Sequence, residues 1–319
     1  MEQRVARSPR WKSNGESVQV RRGARPLVEP TTSRRFRLPN SVRWAIRLAL
    51  LYVFVCFALF VRASYPFGFF SGALVAEPHW EVVSVVTDDG MTIKGWFQGG
   101  GDRGLVILAH DFGDSAADAA ALARELGTAQ FDVLLFDFRA HGVSDGTLST
   151  RGLREAQDVD AILGWARIRY SSLDHVRWVG QGMGASAFLL SQLGKETRGA
   201  VLAEPDESIG KVLDQRVSGL MGLPMSPIFD PVLSAAENWL GQRWEKVSAL
   251  EALRQQGGGR FLFLFTGLDL LTPPPDSLVW TNAAGTESRI LIHTGPSAGL
   301  LSIARERHLR EGVISYLSE

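Results

Sequence analysis

Cysteine is almost missing from this 319-residue chain: the one copy is Cys56. Disulfides, Cys-based metal sites and thiol nucleophiles are therefore excluded from the whole region beyond it. Cys56 itself sits in an apolar run between Val55 and Phe57, which reads as a small membrane-facing hydrophobe rather than a lipid-modified thiol. Net charge is absent as well, with 34 Lys and Arg against 34 Asp and Glu. That zero hides a split along the chain. Residues 1–47 hold twelve Lys and Arg against Glu2, Glu16 and Glu29, a balance of +9, so the remainder carries −9. An acidic body lacks the basic footprint that nucleic-acid binding needs. No Gly-x-x-x-x-Gly-Lys segment and no dinucleotide glycine spacing occurs, so neither a nucleotide cofactor nor a metal is expected. No internal repeat is visible.

Uncharged stretches that are also apolar nearly throughout are scarce, and the notable one is Leu48 to Val61, fourteen residues flanked by Arg47 and Arg62. With Trp44, Ala45 and Ile46 included and Arg47 snorkelling, the segment approaches the ~20 residues that cross a bilayer. Residues 44–62 are read as a single-pass transmembrane signal anchor. A buried core helix is the competing reading, opposed by the all-round hydrophobicity and basic flank. A cleaved signal peptide is another, opposed by the distance to the nearest small-residue site, Ala73 to Ala76. Ser33-Arg34-Arg35-Phe36-Arg37-Leu38 matches only the first positions of a twin-arginine signal. The Lys and Arg excess predicts a cytoplasmic N-terminus and an exoplasmic C-terminal domain, periplasmic or extracellular. Residues 1–43 read as a disordered basic tail, and 63–79 as a juxtamembrane connector carrying Tyr65, Phe67, Phe69 and Phe70.

From Trp80 onward strand and helix signals alternate. Val82–Val86 and Thr92–Phe97 flank Asp88-Asp89-Gly90, a hairpin signature. Apolar runs follow at Leu105–Ala109, Val133–Phe136, Val176–Val179, Ala200–Ala203, Phe261–Phe265 and Ile290–Ile292, as expected of parallel strands buried on both faces. Helical patterns lie at Ala116–Leu126, Leu153–Arg167, Ser186–Leu193, Leu233–Arg254 and Ile303–Leu317. The expectation is one α/β domain over 80–319, a mostly parallel sheet with an opening antiparallel hairpin and helices on both faces. The excursion 206–258 would supply a small lid.

Four local patterns carry more. Val176 to Ala185 runs from a buried strand through a glycine-rich turn centred on Gly182 into a helix. Phe136-Asp137-Phe138-Arg139-Ala140-His141-Gly142-Val143-Ser144 follows the fourth strand, and Leu108-Ala109-His110-Asp111-Phe112-Gly113 the third. Thr266-Gly267-Leu268-Asp269-Leu270-Leu271-Thr272-Pro273 follows the seventh. Together they resemble the D-x-R-G-H-G-x-S turn, the H-G-x-G oxyanion turn, the nucleophile elbow and the acid turn of the α/β-hydrolase superfamily, specifically its short-lidded branch of monoacylglycerol-lipase-like and acyl-peptidase-like serine hydrolases. The resemblance covers Val82 to the C-terminus and implies that fold.

It also locates departures from the family's chemistry. The elbow normally presents a serine Oγ; here the position is Gly182. The resemblance puts the general base at Ala298 and the acid at Asp269. His293 lies about five residues early and His308 falls in the last helix, so both are read as structural or surface histidines. Arg139 and His141 are read as supports of their turn. Backbone N–H groups of Phe112 and Met183 are expected to converge as oxyanion-type donors, with Asp111 placed where it opposes negative charge. Ser186 as a displaced nucleophile would lie on the first helical turn, off the tip; Asp111 as nucleophile fits less well still. The function expected is a membrane-anchored, catalytically impaired protein with a binding or scaffolding role, its ligand a small molecule, lipid or protein. The alternative is an active hydrolase of ester or amide bonds with a displaced nucleophile or base.

Overall fold

A computed structural model describes residues 38–66, 79–208, 210–212, 230, 234, 237, 247–257, 259–267 and 274–319. The apolar runs form eight strands: β1 (Glu81–Val86), β2 (Thr92–Gln98), β3 (Leu105–Ala109), β4 (Asp132–Phe136), β5 (Val176–Gln181), β6 (Gly199–Ala203), β7 (Phe261–Thr266) and β8 (Arg289–His293). They make one sheet in the order β1-β2-β4-β3-β5-β6-β7-β8. β1 pairs antiparallel with β2 and β2 with β4; every other pairing is parallel. The hairpin expected around Asp88-Asp89-Gly90 is present, with Gly90 at φ +84° and Val85 opposite Ile93.

Because side chains alternate along a strand, each run feeds two cores. Leu105 and Ile107 face one side with Leu134, Phe136, Trp178, Phe263 and Phe265. Val106 and Leu108 face the other with Val133, Leu135, Val179, Val201 and Leu264. The first core is covered by α3 (Glu155–Tyr170), α4 (Met183–Leu190), α5 (Ala249–Gln256) and α6 (Pro274–Ala284), through Ile162, Phe188, Leu253 and Trp280 among others. The second is covered by α2 (Ala116–Thr128), α7 (Leu300–Arg305) and α8 (Arg307–Ser318), through Leu122, Leu126, Ile303 and Val313.

Three helices differ from the sequence pattern. The helix expected from Ser186 begins at Met183, directly after Gly182. The single pattern Ile303–Leu317 is two helices, broken at the extended residue Glu306 (φ −85°, ψ 112°). α6 has no counterpart in the pattern: its outward face carries Leu278 and Val279, which blur the helical period. Pro274 and Pro275 open it, where missing N–H groups cost nothing. The lid expected at 206–258 falls mostly outside the described residues. Its two ends are pinned by a bridge between Ser208 and Ser248.

The segment 44–62 lies within a further helix, Asn40–Ser64. Among the described residues no helix is long and apolar enough to cross a membrane. The uncharged stretch Leu48–Val61 rises only about 21 Å at ~1.5 Å per residue, against a hydrocarbon core of ~30 Å. Residues 1–37 and 67–78 lie outside the described residues, as does the side chain of Cys56.

Candidate active site

The C-terminal edge of the sheet gathers four turns. The first is the elbow between β5 and α4. Gly182 adopts φ +50° and ψ −112°, a strained backbone that side chains rarely tolerate. Its N–H donates to Ala203 O (2.9 Å), and its carbonyl accepts from the Ser186 N–H and from Ser186 Oγ, both at 3.0 Å. Ser186 Oγ also lies 3.0 Å from Asp206 O, and the residue is buried at 2% exposure. Its single proton is thus committed to backbone carbonyls, and its hydroxyl does not reach the tip of the turn.

The second turn follows β3 and supplies what fills the elbow. Asp111 Oδ1 accepts the Met183 N–H at 2.8 Å. A Cβ built on Gly182 would overlap Asp111 Oδ1 and Cγ and stand 2.7 Å from Oδ2. The carboxylate therefore occupies the volume in which a residue-182 side chain would lie. Of the two backbone donors expected as oxyanion-type, Phe112 and Met183, the Met183 N–H thus has a carboxylate on it. Phe112 turns its ring under the Arg151 guanidinium, 3.8 Å from its centroid, and edges against His141. Asp114, half-buried, has its carboxyl pushed up to about 7, first by burial and then by Asp111 and Asp118.

The third turn, after β4, holds the second in shape. Asp137 accepts from Ala116 N (2.7 Å) and Val143 N (2.9 Å), fastening both turns to one carboxylate. Gly142, at φ +49°, has no side chain because one would overlap that carboxylate. His110 Nε2 accepts from Phe138 N (3.1 Å), so its Nδ1 carries the proton and donates to Asp111 O (2.7 Å). His141 is arranged alike: Nε2 accepts from Gly113 N (3.1 Å) and Nδ1 donates to Arg139 O (2.8 Å). Burial pushes both rings down to about 4, His141 further by the neighbouring His110. Two neutral histidines thus act as backbone braces. Arg139 is buried between Asp158 (2.7 Å) and Asp89 (2.7 Å), again as a tie between segments.

The fourth turn follows β8. Ala298 is fully buried, and its N–H donates to Glu204 Oε1 at 2.9 Å. Leu300 N donates to Gln181 Oε1 (2.9 Å), linking this turn to the residue before Gly182. His293 Nδ1 faces His308 Nε2 at 3.2 Å, so these two rings contact each other. Among the described residues no serine hydroxyl bonds any of the His110, His141, His293 or His308 rings. Asp269 lies outside the described residues.

Sequence reasoning missed Glu204. It is the residue after β6, held at φ +48°, and its carboxylate reaches the turn where the resemblance places the base. The available signal was a carboxylate abutting the apolar run Ala200–Ala203, followed by Pro205.

A family model described as "Serine aminopeptidase, S33" matches residues 100–249, which include the second, third and elbow turns. Uncharacterized protein Rv2307c of Mycobacterium tuberculosis is 31% identical over 136 residues, 41% of this chain and 47% of that protein. Uncharacterized protein YfhR of Escherichia coli K12 is 29% identical over 178 residues, 52% of this chain and 61% of that protein. The matches thus span about half the length of these curated relatives. Among solved structures, esterase PF2001 of Pyrococcus furiosus superposes with a TM-score of 0.60 at 20% identity, covering 75% of this chain and 90% of that one. Esterase RhEst1 of Rhodococcus sp. ECU1013 gives 0.54 at 18% identity, with 75% and 98% covered. At such identities the likeness concerns the fold alone.

Proposed function

We propose that this chain is a member of the α/β-hydrolase superfamily that uses the fold to bind rather than to hydrolyse, tethered to a membrane. The observation that carries the first half is the Asp111 carboxylate, seated where the nucleophile's side chain would be and bonded to Met183 N. Serine-type acyl transfer needs an attacking oxygen, a base to take its proton and free donors for the oxyanion. Here the elbow carries Gly182, the turn after β8 carries Ala298, and the Met183 donor is occupied. Losing the nucleophile of such a unit costs about six orders of magnitude in turnover, and losing the base adds little. Asp269 is the acid position in this reading. The ligand class is a small molecule, lipid or protein.

A fluorophosphonate probe on the full chain is the direct test. No serine is labelled if this reading holds; labelling at any serine supports the second reading, an active hydrolase of ester or amide bonds, which the serine-aminopeptidase and esterase likenesses favour. The reading also predicts an ordered rescue. Gly182→Ser with Ala298→His stays unlabelled, because Asp111 still fills the slot. Adding Asp111→Gly to that pair opens the slot and the Met183 donor, and labelling appears at residue 182.

The tether rests on the exposed apolar residues of Asn40–Ser64, among them Leu48, Leu50, Val53, Phe54 and Phe57, and on the +9 balance of residues 1–47. A helix that is apolar all round has to be covered, by protein or by lipid. In this reading the uncharged stretch, about 21 Å long, reaches both interfaces only with Arg47 and Arg62 snorkelling at its two ends, the N-terminus cytoplasmic and the α/β domain exoplasmic. The chain is then expected in the membrane fraction after alkaline carbonate washing, with 80–319 open to protease added from the exoplasmic side. Release by carbonate would overturn the tether.

A further inference from the structure

At the opposite, N-terminal edge of the sheet the acidic domain concentrates arginine. Arg177 is the second residue of β5, Gly199 the first of β6, and Arg260 precedes β7. Five steps of strand separate Arg177 from Gly182, roughly 17 Å at ~3.3 Å each. Arg177, Arg198, Gly199, Arg260, Tyr316 and Leu317 line a shallow recess open to solvent.

Two groups in this recess lack the partners that burial demands. Arg177 is 7% exposed, and among the described residues it has no carboxylate within ion-pair distance; its side chain donates from Nη1 to Arg103 O (3.0 Å) and lies 5.6 Å from the Phe131 ring centroid. Burial, then Arg198, Arg260 and Arg103, push it down to about 10, still cationic at neutral pH. Tyr316 is 5% exposed and its hydroxyl makes no hydrogen bond. A side chain on Gly199 would stand 3.4 Å from that hydroxyl, so the glycine leaves it facing the recess. Enclosed cations and hydroxyls without partners are costly unless something completes them.

The neighbouring contacts leave positive charge in excess. Glu319 takes Arg260 (2.6 Å) and Arg289 (2.7 Å) through its side chain, and its backbone carbonyl takes Arg198 Nη2 (2.8 Å). The Glu319 side-chain carboxylate thus answers Arg260 and Arg289, and its main-chain oxygen answers Arg198, while Arg177 and Arg103 add to the same field. Arg260 also lies over the Tyr316 ring, 5.0 Å from its centroid, which fixes its plane beside the hydroxyl.

We propose that Arg177, Arg198, Arg260 and the Tyr316 hydroxyl form a binding site for a phosphate monoester dianion, distinct from the elbow. Guanidinium forks match the oxygens of phosphate, and its double charge answers the surplus that a single carboxylate leaves. Gly199 keeps the floor clear. The same chemistry is offered by a free phosphate ester and by a phosphatidate headgroup.

The test is calorimetric titration of the full chain in neutral detergent with glycerol phosphate, at constant ionic strength against chloride. Saturable one-to-one binding is expected, about tenfold weaker in Arg198→Gln and in Tyr316→Phe, since each loses a charge-assisted bond. Arg198 is exposed and Tyr316→Phe removes one oxygen, so both variants should fold, which their melting curves check. Arg177→Met should bring binding below detection. A second arm adds phosphatidate to the micelles: displacement of glycerol phosphate, or binding of the lipid alone with the same arginine dependence, identifies the headgroup as the source. Binding no stronger than chloride in both arms, or unchanged affinity in Arg198→Gln and Tyr316→Phe, overturns the site.

Discussion

At residue scale the molecule turns on a swap of occupancy between Gly182 and Asp111. The elbow has φ +50° and ψ −112°, and its side-chain space holds a carboxylate from the turn after β3. Gly182→Ala meets two costs, a strained backbone of about 1–3 kcal/mol and collision with Asp111. Asp111→Gly removes the collision and leaves the strain. The pair should therefore be non-additive, with a coupling of at least about 1 kcal/mol in a double-mutant cycle by urea unfolding. Additive losses would mean that the carboxylate swings away freely, and the plugged-site reading would fail with it.

At element scale, α2 fixes the turn that carries Asp111. Ser115 caps it: its Oγ accepts from Ala117 N (3.2 Å), and Asp118 returns a bond to the Ser115 N–H (2.9 Å). Asp137 takes the next amide, Ala116 N. Replacing Ser115 by Ala should cost about 1 kcal/mol, read as a lower urea midpoint with an unchanged m-value. A changed m-value would show that the whole 110–115 turn had come loose. On the other side of the elbow, α4 starts at Met183 because Gly182 finishes the turn in a single residue. The periodic pattern, which placed the start at Ser186, registers apolar positions and not the first turn.

At the scale of the whole molecule, buried titrating groups set the pH range of stability. His110 and His141 are pushed down to about 4 from an ordinary 6.5. Unfolded chains take up protons there that the native state refuses, so this contribution is intact above pH 6.5 and lost as pH falls through 4. Asp114 runs the other way, raised to about 7 from 3.8. Its contribution is intact below pH 3.8 and lost as pH rises through 7. Burial raises Asp158 to about 7 as well, against its bonds to Arg139. Between pH 4 and 6.5 two histidines and two carboxyls therefore oppose one another, and the melting temperature of the parent should change little. Asp114→Asn removes one of the two opposing carboxyls. Its melting temperature should exceed that of the parent at pH 8, and its acid-side slope should be steeper. Parallel pH profiles for the two proteins would mean that Asp114 titrates normally.

Much of this was legible in the sequence. Continuous apolar runs announced a sheet buried on both faces, since every second residue of β3 and β4 had to be apolar for each core. That Gly182 carries no oxygen and Ala298 no imidazole was equally visible as residue type; that these stand at nucleophile and base positions is what the resemblance implies. What the chain did not announce was who meets whom. Asp111 and Met183 are 72 positions apart, and Glu204 and Ala298 are 94 apart. Arg177, Arg198 and Arg260 come together because β5, β6 and β7 lie side by side with their N-terminal ends aligned. Local pattern determines which faces of an element are apolar, because periodicity is a property of neighbouring residues. Which polar groups fill, brace or leave open a site is decided only when strands pair, because that pairing sets the distances between residues far apart in the chain.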